Sequence, residues 1–200
     1  MEKAALVTGG AKRIGRAIAL SLHEMGYRVA LHYNTAREEA EETAEVIRNR
    51  GGVCSLHQCD FVDTRNTEVL IEAAAARFPD LNLLINNSSI FSRAYLKETD
   101  TDELHEHLMV NCCSPLILLR DFGRICGRGS VINILDTKIN QNHTPYFSYS
   151  LSKKALAAAT RLAAKEFAPR IRVNGISPGL ILPSEEWTKE DFSRMSRRLP

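Results

Sequence analysis

"VTGGAKRIGRAIA", residues 7–19, is the stretch on which the fold turns. The apolar run "AALV" at 4–7 leads into it and an amphipathic run near 13–25 leaves it, so its glycines sit in a turn from strand to helix. Gly9 and Gly15, with Ile14 beside the second, fall where backbone must approach a ligand and where a helix amino terminus can hold a pyrophosphate. Two glycines in such a turn also suit a tight connection with nothing bound.

Working outward, short apolar runs alternate with amphipathic ones. Strands are expected at 4–7, 27–33, 53–58, 81–86, 130–135 and 171–176, and helices near 13–25, 36–50, 64–78, 101–123 and 148–167. That alternation predicts an α/β fold, a Rossmann-type doubly wound parallel sheet with helices on both faces, forming one domain over 1–200. Strands buried on both sides are continuously apolar, as these are. Right-handed crossovers bring every strand's carboxyl end to one edge, so motifs at strand ends share one crevice. The charged run at 36–50 reads as a solvent-facing helix with Glu-to-Arg pairs.

With 44% hydrophobic residues, 25% charged residues and a net charge of +2, the composition gives no reason to expect nucleic acid or anionic membrane as a partner. The five cysteines, Cys54, Cys59, Cys112, Cys113 and Cys126, show no metal-site spacing, so no metal is expected. They read as reduced thiols of a cytoplasmic protein. The amino terminus goes directly into a strand-like run without the pattern of an export signal, and no run is long enough to span a membrane.

The turn at 8–15 resembles the TGxxxGxG fingerprint of the short-chain dehydrogenase/reductase family, with Arg13 at the middle glycine position. A guanidinium there suits bidentate contact with a phosphate. The second strand ends in "LHYNTAR" (31–37) and lacks the acid that would bond both ribose hydroxyls. Together these favour NADPH over NADH, with Tyr33, Asn34 and Thr35 beside the 2′-phosphate and Arg37 within reach. The resemblance further implies that Asp60, followed by Phe61, meets the adenine. An aspartate after a strand equally suits a helix cap. "INNSS" at 85–89 resembles the family's NNAG stretch and brings Asn87 and Ser88 to the cofactor. Pro178 and Gly179, after the last strand, are expected on its nicotinamide side.

Tyr149 and Lys153 in "YSLSK" lie four apart on one helix face. A tyrosine with its usual pKa of about 10 is a poor acid or base at neutral pH, and an adjacent ammonium is expected to draw it toward the working range. In the family such a pair transfers a proton and binds the nicotinamide ribose, while an asparagine matching Asn111 anchors a relay water. The fourth member is usually a serine thirteen residues before the tyrosine. Here that position holds Asp136. An ionised carboxylate only accepts hydrogen bonds, so it disfavours the oxyanion of a ketone reduction and favours a substrate rich in N–H donors.

The pteridine reductase branch, with its dihydromonapterin reductase-like members, resembles this chain further. It shares the aspartate, the arginine in the glycine turn, an "NNASSF"-like stretch where this chain reads "NNSSIF", and a relative of "RVNGISPGL". The resemblance implies a pterin or folate substrate, with Phe91 stacking on it and Ser89 beside it. It also implies a homodimer or homotetramer through the helices at 101–123 and 148–167, and a further helix and strand after residue 200. Two other readings stay open: a ketone reductase of the same family, and a catalytically silent NADPH-binding module.

Overall fold

Ala4, Ala5, Leu6 and Val7 carry no solvent exposure at all, and their side chains alternate between two separate cores. Ala4 and Leu6 pack with Leu70, Phe78, Leu118 and Phe122, whereas Ala5 and Val7 pack with Ala19, Ala40 and Ile47. A strand apolar at every position is thus the centre of a sheet covered on both faces. Each large side chain buried this way contributes about 1.5–3 kcal/mol. The computed structural model describes residues 3–142 and 144–182.

Six strands, β1 (Ala4–Val7), β2 (Arg28–Tyr33), β3 (Cys54–Gln58), β4 (Leu81–Asn86), β5 (Gly129–Ile134) and β6 (Ile171–Ile176), form one sheet in the order β3-β2-β1-β4-β5-β6. Every pairing is parallel. The order reverses at β1/β4, which opens the crevice where ligands of doubly wound sheets bind. The helices are α1 (Arg13–Glu24), α2 (Arg37–Asn49), α3 (Thr64–Arg77), α4 (Thr101–Leu108), α5 (Ser114–Ile125) and α6 (Phe147–Phe167).

Strand and helix bounds agree with the sequence to within a residue or two except in one place. The single helix expected at 101–123 is divided: a π-helical turn, Met109–Cys113, separates α4 from α5. Local periodicity carries no mark of it; the turn holds Asn111, whose side chain bonds Ile90 and Ser152. A short 3-10 turn, Thr137–Asn140, follows β5 and was also not foreseen.

Candidate active site

The glycine turn owes its shape to backbone limits. Gly9 has φ 61° and Arg13 φ 54°, the latter being the single non-glycine residue with positive φ among those described. The left-handed conformation costs an L-residue about 1–2 kcal/mol, which explains why glycine is usual at that position. A Cβ on Gly15 would overlap the Gly9 carbonyl oxygen and approach Asn87 Nδ2 to 2.7 Å. Bonding outside the regular ladder includes Arg16 N to Lys12 O at 3.2 Å, so the N–H groups of Ile14 and Gly15 lie ahead of it, at the positive end of α1. A turn kept this bare at a helix start fits a pyrophosphate.

Neighbouring strand ends lock the turn in place. Thr8 Oγ1 accepts from Asn87 N (2.9 Å) and Ser88 N (3.0 Å), and Asn87 Nδ2 donates to Thr8 O (2.9 Å) and Gly9 O (3.2 Å). A cleft of about 530 Å³ runs across the ends of β1 to β4, within the usual size range for small-molecule sites. Gly9, Arg13, Ile14 and Gly15 line it on one side, and Tyr33, Asn34 and Thr35 at the end of β2. Asp60, Phe61, Asn87, Ser88 and Ser89 line it as well, whereas Tyr149, Lys153, Pro178 and Gly179 do not. Lys12, His32, Glu106 and Val110 line it too, unannounced by any motif. Asp60 Oδ1 accepts from Val62 N at 3.0 Å, while the cap of α3 is Asp63, which accepts from Arg65 N at 3.0 Å. The helix-cap alternative for Asp60 is thereby removed.

One strand further along, β5 and α6 bring together the residues expected to transfer the proton. Tyr149 Oη donates to Asp136 Oδ2 at 2.8 Å, and Asp136 Oδ1 accepts from Lys138 N at 2.6 Å, which caps the 3-10 turn. Lys153 is 3% exposed and donates from Nζ to Ile134 O at 2.8 Å. Burial lowers its pKa to about 8 against an opposing pull from Asp136. Tyr149 corrects an expectation. Burial, then the charge and hydrogen bond of Asp136, raise its pKa well above the usual phenol value, whereas an adjacent ammonium was expected to lower it. The Lys153 ammonium donates to Ile134 O and stands 5.9 Å from the Tyr149 ring centroid, while the carboxylate touches the hydroxyl directly. Tyr149 is accordingly a neutral donor.

Asn111, buried in the π turn, makes three side-chain hydrogen bonds. Its Oδ1 accepts from Ile90 N (2.8 Å), and its Nδ2 donates to Ile90 O (3.0 Å) and Ser152 Oγ (3.1 Å). Both amide protons are committed, so the side chain clamps the segment after β4 to α6. Phe91, one residue on, is 44% exposed and is not core packing. It stacks on Tyr146 (4.5 Å, 18°) and meets Tyr149 edge-on (4.7 Å, 89°). Its loop is fastened by the Ala94–Tyr146 bridge and by Ser92 Oγ donating to Glu103 Oε1 at 2.9 Å. Tyr146 is an aromatic wall that the sequence signals only by lying three residues before Tyr149. Pro178 and Gly179 follow β6 at the same sheet edge, apart from the residues lining the cleft. The stretch 183–200 lies outside the described residues. No group of three His, Cys, Asp or Glu suited to a metal occurs among the described residues.

A family model described as short chain dehydrogenase matches residues 3–192. The chain belongs to the short-chain dehydrogenase family. As a member it is an oxidoreductase, and it resembles the pteridine reductase-like branch. A solved FolM alternative dihydrofolate reductase 1 from Brucella canis, complexed with NADP, is 39% identical, with a TM-score of 0.94 over 100% of this chain and 80% of its own. Pteridine reductase 1 of Leishmania tarentolae is 31% identical over 95% of this chain and 81% of its own length. The 3-oxoacyl-[acyl-carrier-protein] reductase FabG of Staphylococcus aureus is 32% identical over 91% and 76%. No described helix of this short-chain dehydrogenase is long and apolar enough to cross a membrane.

Proposed function

We propose that the chain is an NADPH-dependent reductase of a pterin or folate C=N bond, taking a dihydropterin or dihydrofolate to the tetrahydro form. The observation that carries this reading is the Tyr149 hydroxyl held 2.8 Å from an aspartate instead of a serine. The solved relative complexed with NADP supports the cofactor, and that relative together with the pteridine reductase supports the substrate class. The Gly9 to Gly15 turn would hold the pyrophosphate, and Arg13, with Tyr33, Asn34 and Thr35, the 2′-phosphate. When bound, the dihydronicotinamide supplies hydride to the carbon of the C=N bond.

The chain's own residues do the rest. Asp136 accepts hydrogen bonds from the amino and ring N–H groups of the heterocycle, the donors that a carboxylate needs and a ketone lacks. Tyr149, kept neutral by burial and Asp136, hands its proton to the ring nitrogen. Lys153 places positive charge beside the ring and offsets the charge left on the phenolic oxygen. Phe91 and Tyr146 offer flat surface to a flat substrate.

Reducing surroundings suit the five unpaired thiols, in keeping with a cytoplasmic enzyme. Leu151 and Leu162, exposed on α6, suit pairing of copies into a homodimer or homotetramer. The test is NADPH consumption with dihydrobiopterin, dihydromonapterin and dihydrofolate. D136S is expected to abolish turnover of all three. Failure of every pterin and folate, together with higher ketone reduction by D136S, would hand the chain to the carbonyl-reductase reading that the FabG similarity supports. NADPH binding without turnover of either class would mark a silent module.

A further inference from the structure

His32 lies in β2, 2% exposed, among apolar neighbours, and no part of the proposed chemistry uses it. Its Nδ1 accepts from Gly9 N at 3.1 Å, and its Nε2 lies 2.9 Å from Cys59 O. The roles are forced: a peptide N–H can only donate and a carbonyl can only accept, so the ring is neutral with its proton on Nε2. Ser88 Oγ stands 3.5 Å from Nδ1, and the ring stacks on Phe61 at 4.2 Å and 10°. The His32 carbonyl accepts from Gly10 N at 2.9 Å. One residue therefore joins the ends of β1, β3 and β4, the three segments that wall the cleft beside β2.

We propose that His32 is the positioning residue of the nucleotide site, fixing which N–H groups of the glycine turn face the ligand. It takes up two successive donors, Gly9 N through the ring and Gly10 N through its carbonyl. The donors ahead of the α1 ladder, at Ile14 and Gly15, are then the ones presented to a phosphate. Its stack on Phe61 sets the wall next to Asp60 at the adenine end. Burial lowers the pKa of His32 to about 4, in keeping with a ring that stays neutral while it bridges.

This inference rests on the NADP(H) reading and is separated from it by the wild-type chain: if that does not bind NADPH in a calorimetric titration, the cofactor reading fails. H32F keeps the ring over Phe61 but orphans Gly9 N–H and the Cys59 carbonyl. H32Q can accept from one and donate to the other. H32F is expected to weaken NADPH binding by roughly tenfold or more, with kcat at saturating NADPH within about twofold of wild type, and H32Q to recover most of the affinity. Wild-type affinity in H32F, or equal loss in H32F and H32Q, overturns the proposal. Should H32F fail to fold, H32N, whose shorter amide reaches only one partner, is compared with H32Q, and equal affinity of those two overturns it.

Discussion

The two halves of the crevice are made of different material. At the β1–β3 ends the site is backbone: a left-handed glycine, a second glycine with no room for a Cβ, and amides bonded across strand ends. At the β5 end it is charge: a carboxylate beside a phenol and a buried ammonium, whose own pKa shifts each carry a contribution from it. Changes in the first half should therefore alter how tightly the cofactor is held, and changes in the second how fast the reaction runs.

The largest test of that division is Y149F. Removing the proton donor is expected to lower kcat by about 10³-fold, while the NADPH dissociation constant stays within about twofold. A comparable loss of affinity would show that the halves are not separable. Next is the acid response of His32, whose ring is flanked by His57 and Asp60. Its pKa is lowered from 6.5 to about 4 in the fold, so between those values the unfolded chain binds a proton that the folded chain refuses. Stability falls as pH drops through this window, by roughly 3 kcal/mol in all, and urea unfolding of H32Q should lack that component.

A smaller effect, of opposite sign, belongs to the catalytic half. Lys153 pays for burial as a cation at pH 7, so K153M should abolish reduction and yet raise stability by about 2 kcal/mol. Because the unfolded chain holds more protons between pH 8 and 10.5, wild-type stability should rise across that window and the variant's should not. Smallest is R13G. Relief of the left-handed strain, less the added freedom of glycine in the unfolded chain, should raise Tm by about 2 °C, while preference for NADPH over NADH falls. An unchanged preference would remove Arg13 from the phosphate site.

How much the sequence could disclose follows the same division. The strands, most helices and more than half of the cleft lining were readable, because two-sided burial and glycine turns leave patterns within a few residues. Asp136 was readable because its distance to Tyr149 is a count. Three features were not. His32 sits in an apolar strand, and its partners Gly9, Cys59 and Ser88 come from three other segments. The Tyr149 shift depends on a 2.8 Å contact that no spacing specifies. The committed amide of Asn111 depends on Ile90 and Ser152, from opposite sides of the π turn in the chain.

That wide turn also marks a phase boundary in the helix. Five residues where a regular turn uses fewer leave α5 rotated relative to α4 by about the 100° that one residue occupies. The α5 face carrying Leu118 and Phe122 into the sheet core therefore cannot be traced back by periodicity to the α4 face carrying Glu103 and His107 against the Phe91 loop. Deleting one residue of Met109–Cys113 would leave an ordinary helix whose two faces keep their relative rotation, because the π turn absorbs one extra residue locally, so the loss would fall on the turn itself and on the Asn111 bonds to Ile90 and Ser152.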